Sequence, residues 1–191
     1  MRLDREALNA ALAGRLPQPV LRLFTWTKPT VTYGYLLDES RVREWAGSID
    51  HGLWTMDIVQ RPTGGGAVYH TPADLSFSLL WTRSSHLFSF HPRECYEQIH
   101  AIVKKALDAS LPSLSLKQPG AKASCATTPA DRFSACFQEP VCNDVMLGDK
   151  KIVGGALRVT KQALLYQGTI QIPGTVQVDV LKRALQRGFA Q

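Results

Sequence analysis

Hydrophobic and polar positions along the chain follow two rhythms, and the switches between them mark out the elements. Leu8 and Leu12 recur at i, i+4 behind Asp4, so the first segment reads as a helix capped by Asp4 and ending near Gly14. Pro17 and Pro19 close it. Residues 20–26 and 29–35 then read as two strands joined by a turn at Thr27-Lys28, and residues 41–45 as a short helix. In LSFSLLWT (residues 75–82), Leu75, Phe77 and Leu79 alternate with Ser76 and Ser78, the period of a half-buried strand. Residues 91–109 switch to the helical period: Cys95, Ile99, Ile102, Val103, Ala106 and Leu107 share one stripe behind Pro92. Cys95 lies on that stripe as a core thiol, and His100 lies off it, which predicts a solvated ring.

Periodicity disappears over residues 111–132, where Pro, Ser, Ala, Thr and Lys predict a long loop, a feature that in compact domains is often functional. Three β-like runs follow, at 141–147, 151–159 and 164–172, with Gly148-Asp149 as the hairpin turn between the first two. An amphipathic helix over 178–187 ends the pattern. With 191 residues, the chain is expected to form one domain spanning 1–191.

Composition narrows the function classes. Hydrophobic residues at 45% and charged residues at 20% are ordinary for a globular domain, and no apolar run approaches the roughly 20 residues of a membrane span. The N-terminal stretch carries acids among its apolar residues and no signal-peptide core, so the cytoplasm is the expected location. The net charge of +6 favours an acidic partner, but the basic residues are scattered and no aromatic-interleaved stripe marks nucleic-acid binding. Four cysteines (Cys95, Cys125, Cys136, Cys142) are too few for a disulfide scaffold and lack the paired spacing of a zinc site, so no metal centre is expected.

Two stretches carry candidate chemistry. RPTGGGAVYH, from Arg61 to His70, sets three glycines between β-rich flanks. Glycine allows a turn at positive φ or close approach of a ligand to the backbone, and three together can form an anion-binding concavity beside the Arg61 fork. A plain tight turn is the competing reading; a Walker loop is excluded because no Gly-Lys-Ser/Thr follows. The second stretch begins at Cys136, set between polar loop residues and Pro140, where a sulfur can stay accessible. A neighbouring cation lowers a thiol's pKa, and Lys150 or Lys151 on the following strand can supply one.

RPTGGGAVYH resembles the Arg-x-x-Gly-Gly-Gly-x-Val-x-His signature of the lipoate/biotin protein ligase and octanoyltransferase superfamily. CNDVMLGDKKIVGGALRVTKQALLYQGTIQI is similar to its second block, and the two together cover roughly residues 3–187 in the family's order. The resemblance implies a mixed α/β domain with a central, mostly antiparallel sheet flanked by helices, both blocks lining one acyl pocket. It implies that Lys151 orients the acyl carbonyl, and that substrate is bound by Arg61, Gly64, Gly65, Gly66, Ala67, His70, Asn143, Asp144, Gly154, Arg158, Gln167 and Gly168. The implied products are lipoyl or octanoyl amides on one lysine of a lipoyl-carrier domain, of the 2-oxoacid dehydrogenase E2 or glycine-cleavage H-protein type.

Three readings follow. Cys136-Phe137-Gln138-Glu139-Pro140 resembles the Cys-Phe-x-x-Pro segment of the transferases, which draw on octanoyl-acyl carrier protein through a cysteine thioester without a cofactor. Asn143-Asp144 followed by Lys151 resembles the ligases, which activate lipoate with ATP and magnesium; there Asn143 would face the adenylate. A non-catalytic acyl- or carrier-binding homologue is the third. Tyr166 stands where the family pattern has histidine, and the separate C-terminal domain of many ligases is not expected here. A monomer is expected. The cysteine segment favours the transferase reading.

Overall fold

The computed structural model describes residues 1–16, 19–49, 56–85, 89–119, 137, 139–172, 174 and 176–190. Cys125 and Cys136, and most of the stretch read as a long loop, lie outside them.

Helix α1 (Arg2–Leu12) leads to β1 (Val20–Phe24) and β2 (Thr30–Tyr33). Next come α2 (Glu39–Ile49), β3 (Asp57–Gln60), β4 (Ala67–His70), β5 (Leu75–Thr82) and α3 (Pro92–Leu107). The chain closes with β6 (Leu114–Leu116), β7 (Val145–Leu147), β8 (Lys150–Val159), β9 (Ala163–Ile170) and α4 (Val178–Phe189). The strands make a six-stranded sheet in the order β1-β5-β9-β8-β7-β6, antiparallel at every junction, and a three-stranded sheet β3-β2-β4. In the small sheet β2 runs parallel to β3 and antiparallel to β4. This is the mixed α/β architecture that the resemblance implied, with β1 and β2 in different sheets.

Strand β5 shows how the layers form. Leu75, Phe77, Leu79 and Trp81 face α3 and α4 and join Ile99, Val103, Leu107, Leu181 and Leu185 in the main core. Ser76, Ser78 and Leu80 are buried too, against the reading of a half-buried strand. Leu80 packs with Leu8, Ala11 and Leu165 beneath α1. Ser76 bonds Trp26 Nε1 (2.8 Å) and Thr169 Oγ1 (2.9 Å), and Ser78 donates to Asp4 (2.7 Å). Buried hydroxyls are tolerated because each has a partner. A third cluster, Val31, Tyr33, Val42, Ala46 and Ala67, fastens α2 to the small sheet.

Asp4 is not a helix cap. It lies inside α1, 3% exposed, and takes a bidentate pair of hydrogen bonds from Arg22 at 2.9 and 2.6 Å. Burial opposes its charge, but the bonds from Arg22 and Ser78 outweigh that and hold the carboxyl below its usual range. The run 141–147 is strand only from Val145. Residues 141–144 form a turn instead, with the Asp144 N–H on Val141 O (3.1 Å) and Asn143 at φ +68°, a conformation Asn tolerates well. Cys142, read as a strand residue, therefore sits half-buried in a turn. Within the expected loop, residues 114–116 add the edge strand β6.

Candidate active site

Lys151 is the centre of the site. Strand β8 pairs Lys151 with Met146 and Val153 with Val145, so Ile152 is an extra residue, a bulge of the kind that re-aims neighbouring side chains. Lys150 stays exposed, while the Lys151 side chain is 1% exposed. Its Nζ stands 2.9 Å from Asp144 Oδ2, whose side chain has no exposure. A buried pair of this kind holds only if the remaining lone pairs are met. Here Asp144 Oδ2 also accepts the Val141 N–H (2.7 Å), and Oδ1 accepts the Tyr96 hydroxyl (2.5 Å). The ammonium lies 5.2 Å from the centre of the Phe137 ring and against Gly154, where a Cβ would collide with the lysine's own Cε.

Behind this pair lies a buried aromatic group. Tyr96 stacks on His100, ring centres 4.0 Å apart, and His100 Nε2 is 2.7 Å from the Tyr166 hydroxyl. The expectation of a solvated His100 is overturned: the residue has no exposure at all. Its pKa falls to about 3, through burial first and the charge of Lys151 in part, so the ring is neutral at ordinary pH. Nδ1 faces the Asn143 backbone, which favours the charged form somewhat, without reaching hydrogen-bond geometry. Tyr96 and His100 continue the row of Val103 and Leu107 at i, i+4, i+7, i+11, so the buried face of α3 extends beyond its apolar stripe to a polar pair.

The glycine loop differs from the anion concavity proposed for it. Arg61, 5% exposed, donates to Thr32 Oγ1 (2.8 Å) and to the carbonyls of Gly64 (3.0 Å) and Gly66 (2.8 Å). Its fork thus braces the loop from inside. Arg158 braces it from outside, donating to Pro62 O at 3.2 Å and lying over Tyr35. Only Gly65 of the three has positive φ (+83°). Gly34 on the next loop is equally demanding, because a Cβ there would overlap Gly65 O. Thr63 donates to Gln167 Oε1 (2.8 Å), and Gln167 Nε2 donates to Asp4 (2.7 Å), which ties the loop to β9 and α1.

Between the two sheets opens a cleft with about 390 Å³ of empty space, counting the part open to solvent. Phe24, Trp26, Val68, Phe77 and Phe137 supply its apolar wall, and Arg61, His70, Gln167 and the backbone at Gly154, Gly155 and Gly168 complete it. His70 stacks on Trp26 at 4.5 Å, with Nε2 2.7 Å from Thr32 Oγ1. Burial, then the charge of Arg61, lowers its pKa to about 3.

Most predicted residues therefore converge. Arg61, His70, Gly154, Gln167 and Gly168 line the cleft, Lys151 and Asp144 are buried behind that lining with Lys151 packed against Gly154, and Ala67 of β4 is buried between the small sheet and α2. Gly64, Gly65, Gly66 and Arg158 shape the loop, and Asn143 shapes the turn that aims Asp144 inward. Cys136 lies outside the described residues, although its chain neighbour Phe137 is in the cleft. Tyr96 went unnoticed by sequence reasoning, and His100 was read as solvated.

This fold is that of the lipoate ligases. The chain superposes in full on a lipoate-protein ligase A bound with ATP, covering 80% of it (TM-score 0.64, 22% identity). It superposes over 98% of its length on 77% of a bi-partite lipoate protein ligase from Thermoplasma acidophilum (TM-score 0.60, 21% identity). The model of the lipoyl protein ligase A/B catalytic domain matches residues 1–190, and the chain belongs to that family. Curated relatives include the octanoyltransferases LipM of Carboxydothermus hydrogenoformans, 28% identical over 97% of this chain, and of Geobacillus kaustophilus, 26% identical over 89%. The chain spans 64% and 59% of those two proteins' lengths. No helix among the described residues is long and apolar enough to cross a membrane.

Proposed function

We propose that the chain moves an octanoyl or lipoyl group from a thioester donor, octanoyl-acyl carrier protein in the octanoyl case, to one lysine of a lipoyl-carrier domain, with Cys136 carrying the acyl group in between. The supporting observation is the buried ammonium of Lys151, held by Asp144 directly behind two residues that line an apolar cleft, Gly154 and Phe137, the latter following Cys136 in the chain. The relatives named octanoyltransferase add weight, and the Thermoplasma ligase is described together with its E2 lipoyl domain, a carrier of the proposed class.

In the first half-reaction the Cys136 sulfur attacks the acyl carbonyl, the donor's C–S bond breaks, and the donor thiol leaves with the proton Cys136 gave up. In the second, the neutral amine of the target lysine attacks the Cys136 thioester. An amide forms, the C–S bond breaks, and the surplus amine proton returns to the sulfur. The Lys151 ammonium, paired with Asp144, stabilises the charge that develops on the carbonyl oxygen, while its stem lies against Gly154. The cleft's aromatic side chains take the acyl chain. Neither nucleotide nor metal enters this route.

Intact mass after incubation with octanoyl-acyl carrier protein tests the reading. An octanoyl adduct released by neutral hydroxylamine should form on the wild type, Cys125→Ser and Cys142→Ser, and be missing from Cys136→Ser. An active Cys136→Ser that consumes lipoate and releases AMP would make the chain an ATP-dependent ligase. Binding of carrier domain without any turnover would make it a non-catalytic homologue.

A further inference from the structure

We propose that Tyr96 is a positioning residue for the acyl carbonyl: its hydroxyl fixes the Asp144 carboxylate and so the Lys151 ammonium, and the His100–Tyr166 pair fixes Tyr96. The inference rests on the transferase reading above and assigns residues that reading does not use.

The Tyr96 hydroxyl joins three elements. It donates to Asp144 Oδ1 at 2.5 Å, since an ionised carboxylate only accepts. Its oxygen in turn accepts the Gly155 N–H at 3.3 Å. That N–H is available because β7 pairs with β8 only as far as Val153. One side chain of α3 therefore links the carboxylate behind Lys151 to the backbone of the cleft wall beside it. Tyr96 meets the Asp144 carboxylate and the Gly155 backbone, whereas the Lys151 side chain is the one packed against Gly154 of the cleft lining, so Tyr96 is placed to act through Asp144.

The ring's freedom is removed from behind. His100 stacks on it from one helical turn further along α3, and Tyr166 lies 6.2 Å away on β9. Tyr166 has no room to yield. Gly168 holds the position beside its ring, where a Cβ would come within 2.6 Å, and a Cβ at Gly155 would overlap its hydroxyl. Glycines 155 and 168 face each other across β8 and β9, so this pair of missing side chains is the space the Tyr166 ring fills. Displacement of Tyr166 or His100 is thus transmitted to Tyr96, then to Asp144 and Lys151. Misplacement by about 1 Å can cost a reaction up to about 10²-fold.

Tyr96→Phe keeps the ring and its stack and removes only the hydroxyl. With donor carrying a [1-¹³C]octanoyl group, kcat should fall about tenfold while KM for the donor stays within about twofold, because the cleft is untouched. The carbonyl stretch of the enzyme-bound thioester should move to higher wavenumber, toward its value in Lys151→Ala. Tyr166→Phe, which removes the hydroxyl bonded to His100, should shift the band in the same direction by less, and it carries the test if Tyr96→Phe does not fold. A wild-type band and wild-type kcat in a folded Tyr96→Phe would overturn the proposal. If the wild type forms no thioester, the transferase reading fails instead. The ¹⁵Nζ resonance of Lys151, identified by its loss in Lys151→Ala, then tests Tyr96 alone: a shift on Tyr96→Phe supports the positioning role and an unmoved signal refutes it.

Discussion

Two buried cations flank the cleft, and their partners are opposite in kind. Arg61, on the glycine loop, donates to a hydroxyl and two backbone carbonyls. Lys151, on β8, pairs with a carboxylate and lies against an aromatic ring. A guanidinium presents donors in a rigid fork, so three acceptors at fixed directions bind it where they stand. An ammonium is a compact charge with rotatable donors, and one of them can turn to a substrate oxygen while the pair with Asp144 persists. The first region is built to hold backbone and the second to offer charge. The family resemblance assigns Lys151 to the acyl carbonyl and Arg61 to substrate binding, and their surroundings separate them further.

Lys151→Ala should show the largest effect. Losing one preorganised donor costs about 10²-fold or more in rate. The substitution also strands the Asp144 charge, on the order of 3–5 kcal/mol of stability. Asp144→Asn in the same chain should restore much of the stability and none of the rate. Recovery of rate in the double variant would mean Lys151 is structural. Arg61→Lys should invert the pattern: charge stays, but one ammonium cannot satisfy three acceptors in a fork, and each buried orphan costs about 1–3 kcal/mol. At about 2–4 °C of Tm per kcal/mol, calorimetry should find a drop of several degrees, with kcat at low temperature reduced less than tenfold. A collapse of kcat without any loss of Tm would place Arg61 with Lys151 among the charge-offering groups.

What was legible in the sequence follows the same division. Residues 75–82 carry the strand alternation and form β5 at those bounds; of the two lysines either of which could serve Cys136, Lys150 is exposed and Lys151 buried. The glycine stretch could be located but its polarity could not, because nothing in RPTGGG says that two carbonyls rather than amides turn toward Arg61. The half-buried reading of β5 failed because Ser76 and Ser78 find partners on β9, β1's flank and α1, elements far apart in sequence. His100 was misplaced for the related reason that helical periodicity counts apolar residues. A buried polar face such as Tyr96–His100 becomes visible only when β9 supplies Tyr166 and the 141–144 turn supplies Asp144.

Each region also contains one neutral histidine, which makes acid a further way to compare them. His70 and His100 are held at about 3 against an ordinary 6.5, chiefly by burial. Between those values the unfolded chain binds protons that the folded chain refuses, so stability is full above about 6.5 and declines as pH falls. The slope approaches about 1.4 kcal/mol per pH unit for each ring. Asp4, held low by Arg22, adds a loss that begins only below the usual carboxylate range. Urea midpoints measured from pH 8 to 5 should show the decline, with His100→Gln and His70→Asn each removing about half of the slope. A flat profile in the wild type would mean that both rings take up protons without leaving their sites.

The smallest expected effect is the strictest check on the comparison, because it concerns a lysine next to Lys151. Lys150→Ala removes an exposed ammonium at the first position of β8, opposite Leu147 in the hairpin. Adjacent strand residues point to opposite faces, so this charge is directed away from the Asp144–Lys151 pair. Surface substitutions of this kind stay within about 0.5 kcal/mol, and kcat should match the wild type within about twofold. Net charge falls by the same one unit in Lys150→Ala as in Lys151→Ala. If Lys150→Ala slowed transfer as severely as Lys151→Ala, the loss would come from weaker electrostatic attraction of an acidic carrier domain to the face of the protein. Raising the salt concentration would then slow the wild type in the same way. An unchanged rate at low salt, set against a collapsed one for its neighbour, ties the effect to the ammonium behind the cleft lining.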